Sequence, residues 1–246
     1  MRYLLALDQG TSSTRALLFE TDGKLIGLSQ LAITQSYPRI GWVEHNPEEI
    51  WQKTHTVAQA VLSKSSVCAK DVMALGLTNQ RETVVIWNRR SGEVLGPAIV
   101  WQDRRTADFC HTHKTDEPEI LERTGLCLDP YFSASKIKWM LDNYPHAREL
   151  ANKGELAFGT IDSFLIWRLT GGKKHLTDIT NASRTMLYNI NNLEWDSELL
   201  DYFDIPRSLL PEVCGCAGNF GETALGVFDF PVMITGVAGD QQAALI

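Results

Sequence analysis

The chain has 246 residues, 44% of them hydrophobic and 22% charged, with a formal net charge of −7. These are ordinary globular values, with length enough to bury a core as one large domain or two small ones. The acidic balance argues against a general nucleic-acid binder, whose footprint is a basic patch, and suits a small-molecule ligand.

In chain order, Met1-Arg2 precedes an apolar run that meets Asp8 too soon for a signal peptide, and no later run is long enough to span a membrane. A cytoplasmic location is expected. Tyr3–Leu7, Arg15–Glu20 and Lys24–Ile33 read as consecutive strands, joined by turns at Gln9–Ser13 and at Thr21-Asp-Gly-Lys24, the latter a hairpin signal. Asn46-Pro47-Glu48-Glu49 supplies an N-cap, a proline at the first position and acids in the first turn, predicting a helix to about Leu62. Strands are predicted over Val72–Thr78, Thr83–Asn88 and Ala98–Trp101.

From about Arg104 the pattern turns helical, with helices predicted over Ser133–Asn143 and Pro145–Lys153. A strand over Leu156–Gly159 leads to a helix over Asp162–Leu169, closed by Gly171-Gly172. A short amphipathic helix is expected over Trp195–Phe203, and a buried strand over Val232–Val237 that enters a helix at Asp240. The class is α/β with an antiparallel start. The final residues, Gly239 to Ile246, read as an opening helix without a breaker, so the chain is expected to be part of a longer protein.

Several stretches carry chemistry. Asp8 ends a strand before the hydroxyls of Thr11, Ser12 and Ser13 and the cation of Arg15. A carboxylate repels phosphate, so this turn suggests a magnesium-bridged nucleotide, or else only a capped hairpin. Arg81 and Glu82 offer a donor fork and an acceptor pair for neighbouring hydroxyls of a polyol, or form a surface ion pair. Trp101 reads as an aromatic wall beside polar groups or as core, and Tyr131 sits just before a helix. Asp240, at a strand-to-helix turn, is either a helix N-cap or a general base for phosphoryl transfer.

Other features read as structural. The scattered cysteines, including Cys214-Gly-Cys216, lack metal-ligand spacing, and His111 and His113 do not share a helix face. Lys173-Lys174-His175 reads as a polar turn, and Trp42, Trp51, Trp87, Trp139, Trp167 and Trp195 as packing residues.

LDQGTSSTR, GWVEHNPEEIW, GLTNQRET, AIVWQDRRT, DPYFSASKIKWMLDN, FGTIDSFLIW, TDITNASRTMLYNI and GVAGDQQAAL occur in this order along the chain. With them the sequence resembles the N-terminal half of the FGGY carbohydrate kinases, within the actin/hexokinase/Hsp70 (ribonuclease-H-like) superfamily. Tyr131–Asn143 fits the family's first signature. Gln80-Arg81-Glu82 stands where xylulose kinases typically carry Gln-Met-His, and resembles the glycerol-phosphorylating members.

The resemblance implies an α/β domain with a mixed sheet and flanking helices over residues 1–246, the nucleotide-closing C-terminal domain lying outside the chain. It implies that Arg81, Glu82, Trp101, Tyr131, Asp240 and Gln241 surround glycerol, with Asp240 as base. Thr11, Ser12, Ser13 and Arg15 would meet the phosphates of ATP, and Asp8 the Mg²⁺. The implied reaction yields sn-glycerol 3-phosphate, the 246 residues alone being nearly inactive and the full-length protein a homo-oligomer. Another polyol or ketose kinase of the family, or a non-catalytic actin-like binding module, are the alternatives. The Gly-Gly-Lys-Gly-Gly-type loop through which some bacterial members bind fructose 1,6-bisphosphate is not matched by Leu225-Gly-Val-Phe-Asp-Phe-Pro231.

Overall fold

The structure, a computed structural model, describes residues 2–245. Strands β1 (Tyr3–Gln9), β2 (Ser13–Glu20) and β3 (Leu25–Ala32) form the expected antiparallel meander. Gly23, at φ +91°, takes the left-handed conformation that closes the second turn at little steric cost. After the short β4 (Glu44–His45), helix α1 (Pro47–Lys64) begins where the sequence predicts. The Asn46 side chain accepts from the backbone N–H groups of Glu48 and Glu49, and a buried stripe of Ile50, Val57 and Val61 packs with Leu5, Leu7, Ala16 and Leu18.

Strand β5 (Val72–Asn79) runs parallel to β1, and the last strand of the chain, β13 (Ile234–Gly239), runs parallel to β5. The sheet order is β13-β5-β1-β2-β3. Its register sets Gln9, Asn79 and Gly239 side by side. The carboxyl ends of three parallel strands thus meet at one edge, where open α/β sheets bind their ligands.

The remaining elements build the far side of that edge. Strand β6 (Val85–Asn88) pairs antiparallel with β8 (Leu156–Gly159), and β7 (Ala98–Ile99) pairs with β4. Helices α2 (Ala107–Thr112), α3 (Glu117–Thr124), α4 (Ser133–Asn143), α5 (Ala147–Asn152) and α6 (Ile161–Leu169) follow or intervene. Strand β9 (Leu176–Asp178) leads into α7 (Ile179–Ala182) and is joined in parallel by β12 (Glu212–Cys214). The hairpin β10 (Tyr188–Asn189) and β11 (Glu194–Trp195) precedes α8 (Ser197–Tyr202). Helix α9 (Asp240–Ala243) follows β13. One hydrophobic cluster joins the sheet to α1 and α6, while another gathers Ile137, Met140, Phe158, Tyr188 and Phe203 from the helical side.

The structure corrects several expected boundaries. Trp195 lies on β11 and not in a helix, because Asp196 caps α8 by accepting from Glu198 and Leu199 N–H groups in extended backbone. The helix predicted from Pro145 starts at Ala147, held off by His146 at φ +60°. The strand predicted over Thr83–Asn88 is regular only as β6, with Val84 in an isolated bridge to Ile99. β7 stops at Ile99, leaving Trp101 on a turn. Lys173-Lys174-His175 is not simply a polar turn: His175 lies between the Phe158 carbonyl (2.7 Å) and Arg89 (3.0 Å), and burial lowers its pKa to about 4. Among the described residues no helix is long and apolar enough to cross a membrane.

Candidate functional site

The β1–β2 turn is closed by Gly10 N–H donating to the Ser13 carbonyl at 2.9 Å. Alternation along β1 buries Leu5, Leu7 and Gln9 and turns Asp8 to the other face. There Asp8 Oδ2 lies 3.1 Å from Arg15 Nη2, its register partner on β2. Among the described residues the Asp8 side chain pairs with Arg15 and makes no hydrogen bond to the turn. Burial raises its carboxyl above the usual carboxylate range; Arg15 opposes that shift and the like charge of Asp240 adds to it. Asp8 and Asp240, 232 positions apart in sequence, therefore stand at the same end of the sheet, on β1 and just after β13.

Behind the turn the ends of β1 and β5 are tied by polar groups. Gln80 N–H donates to the Gln9 carbonyl (2.9 Å), and its side-chain amide donates to Gln9 Oε1 (3.0 Å). Thr83 Oγ1 donates to Gln80 Oε1 at 2.8 Å. These bonds fix residues 80–83 against the β1–β2 turn.

Arg81 and Glu82 are 5% and 2% exposed, so the surface ion-pair alternative does not hold. Arg81 Nε lies 3.1 Å from Asp240 Oδ1, and its Nη1 donates to Gln242 Oε1 at 3.1 Å. Glu82 Oε1 is 3.8 Å from Arg81 and accepts from Arg184 Nε at 2.7 Å. Two guanidinium groups thus compensate one buried carboxylate. The Arg81 stem passes so close to Gly239 that a Cβ there would meet Arg81 Cδ at 2.3 Å.

Trp101 and Tyr131 form an aromatic wall, their ring centroids 5.5 Å apart and inclined at 58°. Trp101 Nε1 donates to Thr11 Oγ1 at 2.9 Å, joining the wall to the β1–β2 turn. Tyr131 is held through its backbone: its N–H donates to Asp129 Oδ1 (2.8 Å), and its carbonyl accepts from Lys136 Nζ (2.6 Å). Lys136 is fully buried, and desolvation lowers its pKa to about 7. Burial raises the Tyr131 hydroxyl pKa, with Glu82 the leading charge in the same direction. Trp42 and Trp139, expected only to pack, lie 3.8 and 4.7 Å from the guanidinium of Arg105, which is anchored by Asp103 and Glu44.

Asp240 is the first residue of α9, and Gly239 occupies the cap position. Its Oδ1 accepts from Gln241 N–H at 2.8 Å and pairs with Arg81, so the plain N-cap alternative fails. Gly239 N–H donates to Thr180 Oγ1 (2.8 Å), which donates to Asp178 Oδ2 (2.6 Å). Asp178 also accepts from the Thr180 and Asn181 N–H groups, capping α7. Asn181 accepts from Asn79, which lies 3.4 Å from Asp162, a carboxylate also bonded by Thr160 and Thr177.

The structure thus brings Asp8, Thr11, Arg15, Arg81, Glu82, Trp101, Tyr131 and Asp240 to one sheet edge. Ser13 Oγ accepts from Gln30 at 2.9 Å, and Ser12 sits beside it in the same turn. Gln241 is exposed, and the residue that reaches Arg81 is Gln242. Sequence reading missed Arg184, Lys136 and the Asp178–Thr180 pair. Their signal was a charge or acid inside otherwise apolar or small-residue segments, visible only once burial is known.

Residues 3–246 match the FGGY family of carbohydrate kinases, N-terminal domain. The chain is 56% identical to a glycerol kinase of Methylobacterium nodulans, covering 100% of this chain and 49% of the relative. It is 53% identical to glycerol kinase 1 of Pseudomonas aeruginosa, covering 99% and 50%. Among solved structures, Plasmodium falciparum glycerol kinase with ADP superposes with a TM-score of 0.93 at 35% identity, over 99% of this chain and 49% of that one. The chain spans about half the length of the curated relatives it matches.

Proposed function

The chain belongs to the FGGY family of carbohydrate kinases, and from that premise we propose that it is the N-terminal, glycerol-binding half of an ATP-dependent glycerol kinase. The observation that carries the reading is the buried Arg81–Glu82 pair lying against Asp240, with the Trp101–Tyr131 wall beside it. A triol offers adjacent hydroxyls to a donor fork and an acceptor, and a carbon edge to an aromatic wall.

In the proposed reaction a terminal glycerol hydroxyl attacks the γ-phosphorus of ATP in line. The new O–P bond forms as the bond to the β-phosphate oxygen breaks, and the hydroxyl proton passes to Asp240. Arg81 and Glu82 bind and orient the other hydroxyls. The Thr11–Ser13 turn and Arg15 meet the phosphates.

Asp8 suits a magnesium–nucleotide complex, since Mg²⁺ takes one or two carboxylates, waters and substrate phosphate oxygens. Asp8 supplies a hard oxygen beside the hydroxyl turn and would hold the ion there. When bound, the ion offsets charge on the phosphates; Asp8 would hold it after release from Arg15.

A coupled ADP-release assay on the full-length protein tests the reading with glycerol, dihydroxyacetone, erythritol and xylulose. Glycerol is expected to give the highest kcat/KM; a clear preference for another substrate overturns the assignment. Asp240→Asn is expected to lower kcat by about a thousandfold, within the range of a lost general base, while glycerol still binds.

A further inference from the structure

Arg184 stands outside the residues that the sequence marks, yet it closes the far side of the proposed polyol site. It follows α7, where its N–H donates to the Asn181 carbonyl at 3.0 Å. The next residue, Thr185, accepts from Ala134 N–H of α4 at 2.9 Å, so the segment is pinned between two helices. From there the guanidinium lies 4.9 Å from the Phe132 ring and 5.9 Å from Tyr131, and its Nε donates to Glu82 Oε1 at 2.7 Å.

The bonding around Glu82 is one-sided. Oε1 is engaged by Arg184 and faces Arg81 at 3.8 Å, whereas Oε2 accepts no hydrogen bond among the described residues. A carboxylate accepts through either oxygen, and nothing in its own chemistry decides which one faces a ligand. We propose that Arg184 is a positioning residue for the polyol: by fixing Glu82 Oε1 and backing the Tyr131 ring, it presents Oε2 as the acceptor for a substrate hydroxyl. This rests on the glycerol reading above.

Arg184 meets the polyol through Glu82, away from the proposed phosphate turn, so its loss acts on one substrate. In the full-length kinase, Arg184→Ala is expected to raise the glycerol KM by about tenfold or more, with the ATP KM within about twofold of the parent. The separating measurement is a double-mutant cycle with Glu82→Ala. If Arg184 acts through Glu82, the double variant is no worse than Glu82→Ala alone, to within about twofold in glycerol KM. Independent, multiplying effects, or an equal rise in both KM values, overturn the proposal.

Should Arg184→Ala fail to fold, Arg184→Lys keeps the charge without the planar fork. It is expected to give an intermediate rise in glycerol KM at parental ATP KM, and a parental glycerol KM overturns the proposal. A parent enzyme that does not phosphorylate glycerol strikes the activity assignment instead, while a glycerol kinase indifferent to Arg184 strikes only this role.

Discussion

Gly239→Ala places one methyl group against Arg81, the residue that links the proposed base to the proposed polyol site. At φ −60° an alanine fits the backbone of Gly239, so the conflict is one of space alone. The new Cβ would lie 2.3 Å from Arg81 Cδ and 2.6 Å from Cγ, where ordinary contact begins at 3.4 Å. Arg81 must retreat by about 1 Å, and at 5% exposure that retreat displaces closely packed neighbours. A shift of about 1 Å in a positioning group costs about 100-fold in rate, or about 2.7 kcal/mol of transition-state stabilisation. We expect that loss in kcat/KM for glycerol, measured by ADP release in the full-length enzyme. Gly23→Ala is the control: it strains a φ of +91° but has nothing within 4 Å, so it should lower Tm and leave kcat/KM unchanged. A folded Gly239→Ala enzyme within about threefold of the parent would refute the reasoning from which this figure comes.

Trp101→Phe keeps the ring against Tyr131 but removes the bond to Thr11, and should raise the ATP KM about fivefold, the equivalent of one net hydrogen bond, with glycerol KM nearly unchanged; a change confined to glycerol KM contradicts it. Burial, with the like charge of Asp178, raises the Asp162 carboxyl from 3.8 to about 7, so the folded chain holds this proton more tightly than the unfolded one. The resulting stability is complete below pH 4 and is lost as pH rises through 7. Asp162→Asn does not titrate, so its Tm relative to the parent should climb between pH 5 and pH 8; a constant difference across that range overturns the account.

Much of the fold was legible because its signals are local. The Asp-Gly turn, the Asn46 cap and the apolar run that ends at Asp8 depend on neighbours within a few residues, and each predicted its element. Failures came where a distant partner decides. Trp195 looks helical by its spacing, yet Asp196 takes the cap and Trp195 pairs with Tyr188. In the site, Asp8, Arg81, Glu82 and Asp240 stood out as charges at strand ends. Arg184 did not, because its role depends on a carboxylate 102 positions away.

The same distinction explains why so many polar groups lie buried behind Asp240. Asp240 opens α9 directly after β13, so the direction in which its carboxylate leaves the sheet is set at Gly239. The helix entry is fixed by Gly239 N–H bonding Thr180, and Thr180 is fixed by Asp178. Asn181 and Asn79 then carry the connection to the end of β5, two residues before Arg81. The proposed base Asp240 and the proposed polyol-binding Arg81 are therefore referenced to one hydrogen-bonded frame as well as to each other. An apolar core of the same volume would be as stable, since buried polar groups only recover what desolvation costs. It would leave the helix start free to rotate, and a base must hold its hydrogen-bond reach of about 3 Å to accept a proton.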